Sequence, residues 1–396
     1  MKKLTLITLI AALVAGVAFA KEILMAPFAP RSPVVMAQGG SYTAVASGYD
    51  SLFSNPAGFA SPRGSLTIAS AMPWVYGNPV DLNDAIPTFS EDTGVSDYLE
   101  VAAKNGVGVG GSAGIAYVGR GLGLGLVISS DFFLFGTPFP TGIKGYTSND
   151  ISIVGGLALS PINNSFMKLS VGADLRPTIR VFGPINAEGM LDIVDVMNND
   201  DPLADEDQLM TDAMNSLDIY QGAGLGIDLG AKISLGDFTV ALTFRDLFGT
   251  SFAMTKYGMG DWLNAVEASG GLPETGIETG DTYVVPMNIV LGGAFHPDLG
   301  ALSFFFDPTF HADIADPIGV FRDNKSPWSL LHLGTEVKVL RFIKLRGGVN
   351  QGYITAGAGV RLLFLDFNIA AFTRELGRYA GDNPSSGMSA EIALRF

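Results

Sequence analysis

After position 20 the chain spends its apolar residues one on, one off, and never runs them together long enough for a membrane-spanning helix. Such a helix needs about 20 consecutive apolar residues, and no stretch beyond Ala20 approaches that. Yet the sequence is 47% hydrophobic with only 16% charged residues, and its mean hydropathy is +0.32. Water-soluble chains usually carry about 25% charged residues. The excess apolar surface must therefore face something other than water. A closed β-barrel is the architecture that crosses hydrocarbon without helices, because every backbone N–H and C=O is paired around the ring.

The alternation is cleanest in four places. From Lys168 to Arg180, one face carries Lys168, Ser170, Gly172, Asp174, Arg176, Thr178 and Arg180, and the other Leu169, Val171, Ala173, Leu175, Pro177 and Ile179. Residues 222–234, 238–245 and 332–339 repeat the pattern. A soluble β-sandwich also alternates, but its polar face is open to water and tolerates many Lys and Glu. Here one face is nearly pure aliphatic, and the other is Gly, Ser and Thr with isolated charges of both signs. That contrast fits lipid outside and a narrow lumen inside. The predicted fold is all-β, a transmembrane antiparallel barrel of about 14 strands with an N-terminal plug. The strands are expected at 64–73, 106–119, 121–132, 150–160, 166–182, 219–234, 237–247, 283–295, 300–309, 329–340, 342–350, 352–362, 364–375 and 388–396.

Connections between these segments alternate short and long, with one exception at Asn350-Gln351-Gly352. Barrels have short periplasmic turns and long extracellular loops, so this parity places both termini in the periplasm. The chain opens Met1-Lys2-Lys3, runs apolar from Leu4 to Ala20 and offers Ala18-Phe19-Ala20 as a small-x-small site. This reads as a signal peptide over residues 1–20, too short for a membrane anchor. With no Cys, a lipoprotein anchor and thiolate chemistry are both excluded. The last strand alternates from Ser389 to a terminal Phe396, similar to the signal read by the barrel-assembly machinery. The expected location is the cell outer membrane.

Residues 21–63 are not strand-like. They hold Pro27, Pro30, Pro33, Pro56 and Pro62, with glycines between, and their apolar content argues against a free tail. The run Gln38-Gly39-Gly40-Ser41-Tyr42-Thr43-Ala44-Val45-Ala46, followed by Asn55-Pro56-Ala57-Gly58-Phe59-Ala60, resembles the N-terminal hatch of the FadL superfamily, which includes long-chain fatty acid transporters and PorV-type proteins. The resemblance implies a 14-stranded barrel (residues 64–396) with residues 21–63 as a lumenal plug, and a hydrophobic cargo. The plug motif is Asn55, Pro56 and Ala57. Pro56 fixes φ and removes a donor, Asn55 can close an Asx-type turn on its own backbone, and the small residues after it permit close approach to the wall.

Inward-facing charges in this reading include Arg176, Arg180, Arg245, Arg346 and Arg361, the candidate carboxylate-binding residues of the lumen. Pairing with inward acids is the simpler structural reading, since buried charges must be paired. Between Leu191 and Asp218 the chain is acidic, with no Lys or Arg and with apolar residues at roughly helical spacing. It reads as amphipathic helices over the barrel mouth. It lacks the ligand order of an EF-hand, so no metal is assigned, and no cofactor is expected. Residues 82–104 and 259–270 read as outer loops. A formal charge of −15 disfavours nucleic acid. Enzymatic activity is not expected: the three histidines, His296, His311 and His332, assemble no nucleophile with an acid-base pair, and His311 is placed near the outer rim. Two functions remain. One is a transporter or channel for hydrophobic molecules, long-chain fatty acids or similar lipids, with a lateral exit near the glycine-crowded segment 106–114. The other is a non-transporting, PorV-like secretion or binding barrel.

Overall fold

The structure is a computed structural model. It describes residues 22–25, 30–77, 100–101, 103–104, 106–136, 141–197, 206–273, 276–376, 378–379, 381–382 and 384–396. The expected signal peptide lies outside these residues, as do 78–99 of the first outer loop and 198–205 of the acidic one.

One sheet, antiparallel throughout the ring of its wall and joined by one parallel strand, β1, closes on itself. Its strands are β1 (Glu22–Leu24), β2 (Ser65–Gly77), β3 (Val107–Gly119), β4 (Leu122–Phe135), β5 (Lys144–Asn163), β6 (Met167–Ile185), β7 (Asp218–Leu235), β8 (Phe238–Arg245), β9 (Thr250–Gly258), β10 (Ile277–Glu278), β11 (Thr282–Val285), β12 (Asn288–Phe295), β13 (Phe306–Ala315), β14 (Leu331–Val339), β15 (Ile343–Asn350), β16 (Tyr353–Leu362), β17 (Leu365–Glu375) and β18 (Pro384–Arg395). β7 pairs with β8 along Leu229–Leu235 and with β9 along Asp218–Gly224. β8 and β9 are thus two halves of one stave, and β11 and β12 are the halves of the next. With each broken stave counted once, β2 to β18 without β10 form fourteen. β18 pairs with β2 to close the ring, and Leu66 and Phe396 exchange both backbone bonds at 2.9 Å at the end of the seam.

The alternation sorts side chains as the sequence predicts. Ile153, Leu157, Leu175, Leu225, Val240, Leu291, Leu345, Ile354 and Ile392 are exposed on the outside, while Ser152, Asp174, Arg176, Thr178, Arg180 and Asp228 are buried on the inside. An outward aliphatic coat over a closed, hydrogen-bonded ring suits hydrocarbon on both counts. At the short-turn rim, exposed Phe166, Phe238, Phe304, Phe305, Phe306, Phe342 and Phe396 form an aromatic girdle suited to a headgroup region.

Four details differ from expectation. The strand placed at 300–309 is β13, six residues later, because Gly300–Phe304 form a 3-10 turn instead. The stave begun at 237 does not end at 247: it kinks at Asp246–Gly249 and continues to Gly258. Pro286 interrupts the neighbouring stave beside it, since proline cannot donate to a ladder. The crowded glycines of β3 do not mark a gap, for β3 is paired with β2 on one edge and β4 on the other. They make room instead: a side chain at Gly108 would strike the Tyr76 ring, and one at Gly114 the Tyr49 hydroxyl. Finally, β1 runs parallel to β11, with Glu22 level with Thr282 at the long-loop end. The barrel proper starts and ends at the short-turn rim, but the described chain before it climbs to the opposite side.

Helices α1 (Pro33–Met36), α2 (Ala187–Met197), α3 (Glu206–Met214), α4 (Met259–Ser269) and α5 (Pro317–Arg322) complete the fold. α2 and α3 fall in the acidic loop, and α4 in the 259–270 segment. α2 covers the mouth: its Met190 is buried with Ala103, Leu134 and Ile143, and Ile193 packs against them.

Candidate functional site: the lumen and the segment inside it

The Asn55-Pro56-Ala57 turn shows why the N-terminal segment folds where it does. Asn55 caps the 3-10 helix Pro56–Ala60, its Oδ1 accepting from Ala57 N at 2.9 Å, and its Nδ2 donates to Thr43 O at 3.1 Å. Pro56 occupies the first helical position, where a missing N–H costs nothing. The turn rests on two wall glycines, Gly172 of β6 and Gly230 of β7, which are register partners. A Cβ on the first would collide with the Pro56 carbonyl, and one on the second with the Asn55 side-chain amide. Around this seat, wall cations hold segment carbonyls: Lys232 donates to Ala46 O at 3.0 Å, Lys168 to Ala60 O at 3.4 Å, and Arg245 to Phe53 O. Leu52 and Phe59 are fully buried against inward Val118, Val127 and Val154. Burying a side chain of that size contributes roughly 1.5–3 kcal/mol.

The opposite wall repeats the device. Gly334 and Gly348, also register partners, leave room for Gln38 and Gly39. The Asp313 carboxylate accepts from Tyr42 N and Thr43 N at 2.9 and 3.0 Å. His311 bonds Ser41 Oγ through Nδ1 at 2.9 Å and Gln38 Oε1 through Nε2 at 2.8 Å. His332 Nδ1 meets Gly39 O at 2.8 Å, and Thr355 Oγ1 accepts from Gly39 N and donates to Ala37 O, both at 3.0 Å. His311 therefore lies on the inner wall against the N-terminal segment rather than near the outer rim. Both its ring nitrogens are engaged, so it is built as a tether. His296 sits at a turn with Asp307, 2.6 Å away.

Toward the long-loop end the lumen becomes aromatic. Trp74, Tyr76, Phe133 and Phe372 are buried together, with Tyr146 and Met36 against them. The Asp131 carboxylate gathers four donors: Trp74 Nε1 at 2.7 Å, Tyr76 OH at 2.9 Å, and Tyr146 OH and Arg31 Nη2 at 3.0 Å. The Arg31 guanidinium lies 4.1 Å from the Tyr76 ring centre, a cation–π contact. A second patch joins Met25, Phe252, Met254, Tyr283 and Val285, with Phe182 and Tyr220 beside it. Nothing in the spacing of the sequence ties Arg31 to Asp131, a hundred residues away.

The five candidate arginines do not converge. Arg176 bonds Asp228 at 3.2 Å and Asp246 at 2.5 Å, and Arg245 shares Asp228 at 3.4 Å. This network fixes the kink: Asp246, at φ +49°, also accepts from Thr250 at 2.6 Å. Arg180 is paired with Asp150 at 2.6 Å. Arg346 meets Glu336 at 2.8 Å, and Arg361 meets Asp366 at 3.7 Å, near the short-turn end. Each is taken by a carboxylate of the barrel itself. Arg374 is different. It lies beside the Tyr76 ring, 5.0 Å away, its Nε is buried without a hydrogen-bond partner, and no carboxylate pairs with it among the described residues.

These features define a class: an outer-membrane β-barrel whose lumen holds the chain's own N-terminal segment beneath an aromatic outer half. No family model matches the chain, and no curated protein matches it. Among solved structures it is similar to the Pseudomonas putida toluene transporter TodX, at 12% identity and a TM-score of 0.49, over 94% of this chain and 99% of that one. It is also similar to the Ralstonia pickettii toluene transporter TbuX, at 12% and 0.46 over 92% and 98%, and to a Pseudomonas aeruginosa FadL homologue, at 11% and 0.46 over 93% and 98%.

Proposed function

We propose that the protein carries hydrophobic molecules, long-chain fatty acids or similar lipids, across the outer membrane, with residues 21–63 acting as the plug of a barrel formed by residues 64–396. The observation that supports this reading most is the division of the lumen. Its middle is occupied by a segment tethered to both walls, which disfavours free diffusion of hydrated solutes. Its outer half presents aromatic faces, which suit apolar solutes. In this reading the Asn55-Pro56-Ala57 turn pins the plug. The carboxylate of an acyl cargo is met by Arg374 rather than by Arg176, Arg180, Arg245 or Arg361, which are neutralised in place, or by Arg346, which lies below the segment toward the short-turn end.

The test is uptake of radiolabelled oleate and toluene by cells lacking their own transporter, with and without this protein. Increased uptake of oleate or toluene over the empty strain is expected. Arg374→Gln should lower uptake of oleate but not of toluene. Equal uptake with and without the protein, together with co-purification of secretion-machinery proteins and no bound lipid, would support the PorV-like alternative instead.

A further inference from the structure

Below the N-terminal segment, at the short-turn end, lies a cavity of about 660 Å³, within the range of organic ligand pockets. Its lining is polar and carries six Lys or Arg side chains against four Asp or Glu. Most of these are internally matched. Arg395 bonds Asp366 at 3.4 Å and also Glu391, Arg361 faces Asp366, and Lys338 meets Asp307 at 3.4 Å.

Three cations are left over: Arg63, which is exposed, and two less exposed donors side by side on β15. Lys344 makes no ion pair or hydrogen bond through its side chain among the described residues. Arg346 gives Nε to Glu336 and Nη1 to Asn368, both at 2.8 Å. Its Nη2 is buried with no partner, on a side chain with 0% exposure. Spaced by two, Lys344 and Arg346 share the inward face. Moreover, Lys344 stands directly opposite Lys338 in the β14–β15 register. Like charges in that position are about 5 Å apart at Cβ and destabilise a sheet. A buried guanidinium nitrogen without an acceptor costs further free energy. An anion between these groups would remove both penalties.

We infer that this cavity is an oxyanion site, taking a carboxylate or phosphate group from the short-turn side between Lys338, Lys344 and Arg346. It lies across the N-terminal segment from Arg374 and does not depend on transport. The occupant is either a free oxyanion or the headgroup of an amphiphile.

The test uses the folded protein in dodecyl maltoside, titrated calorimetrically with inorganic phosphate, octanoate and octanol. Saturable binding of phosphate, octanoate or both is expected, and none of octanol. Phosphate binding would identify a free oxyanion, and octanoate alone an amphiphile's headgroup. Lys338→Gln/Lys344→Gln should bind about tenfold more weakly or worse, the loss expected for hydrogen bonds to a charged group, while Lys256→Gln, which alters a cation paired with Asp218 toward the long-loop end, should bind phosphate as the unaltered protein does. Retention of the heat-modifiable shift on unboiled gels by the double variant separates a lost site from a lost fold. The inference is overturned if no anion saturates, if the double variant binds unchanged, or if Lys256→Gln loses phosphate binding equally.

Discussion

Asn55 and Gly230 carry more of the architecture than their size suggests. Removing a cap of this kind costs about 0.5–2 kcal/mol, and Asn55→Ala also leaves Thr43 O without its bond. Gly230→Ala would force the same turn off the wall. Both variants should let small solutes through in a liposome-swelling assay without unfolding the barrel on unboiled gels. Unchanged exclusion after deletion of Asn55–Ala57 would show that the turn pins nothing. Asp50, in the same segment, is buried beside Glu391, and burial raises its pKa above the ordinary 3.8, with the Glu391 charge adding to the effect. A raised carboxyl favours the protonated form, so its contribution to stability is present in acid and lost as pH rises through the shifted value. Asp50→Asn should therefore reduce the fall in melting temperature between acidic and neutral buffer. At this scale the sequence shows which residues face inward, because period two decides that. It cannot show partners. Arg346 and Arg361 read as a lumenal basic patch, but Glu336 and Asp366 neutralise them from neighbouring strands.

At the level of elements, the staves differ in height. β5 has 20 residues and β15 has 8, whereas about 9–11 tilted residues cross a bilayer. One side of the wall therefore stands well above the membrane and the other barely clears it, which accounts for the short outer turn at Gln351–Gly352. The loop expected at 133–149 shrinks for the same reason, since β4 and β5 stay paired to Phe135 and Lys144. Glycine and serine on a tall rim read as loop when no lipid-facing alternation accompanies them. The kink at Asp246–Gly249 escaped the sequence because it depends on Arg176, seventy residues earlier. Breaking a buried ion pair by removing one partner costs roughly 3–5 kcal/mol. Arg176→Met should lower the denaturation midpoint sharply, with faster hydrogen exchange beginning at residues 246–252.

Over the whole molecule, the fourteen-stave ring was legible because lipid outside and a filled lumen inside leave the chain little freedom to break alternation. The route of the N-terminal segment was not, because its bonds go to wall residues scattered from Asp131 to Thr355 without any period. The terminal Phe396 illustrates both sides. It continues the alternation that runs from Ser389, and the structure adds that it stacks on Phe364 at 5.6 Å while its backbone locks the seam to Leu66. Deleting Phe396 should reduce the heat-modifiable fraction recovered from outer membranes.

The parallel strand at Glu22–Leu24 also ties the two ends of the barrel together. The polypeptide starts its described course at the outward end, descends through the middle of the ring and only then enters the wall at Ser65. Joined to the wall at Ser65 on one rim and paired with Thr282–Val284 toward the other, the segment acts as a strap inside the hoop, so a pull on either end is carried to both.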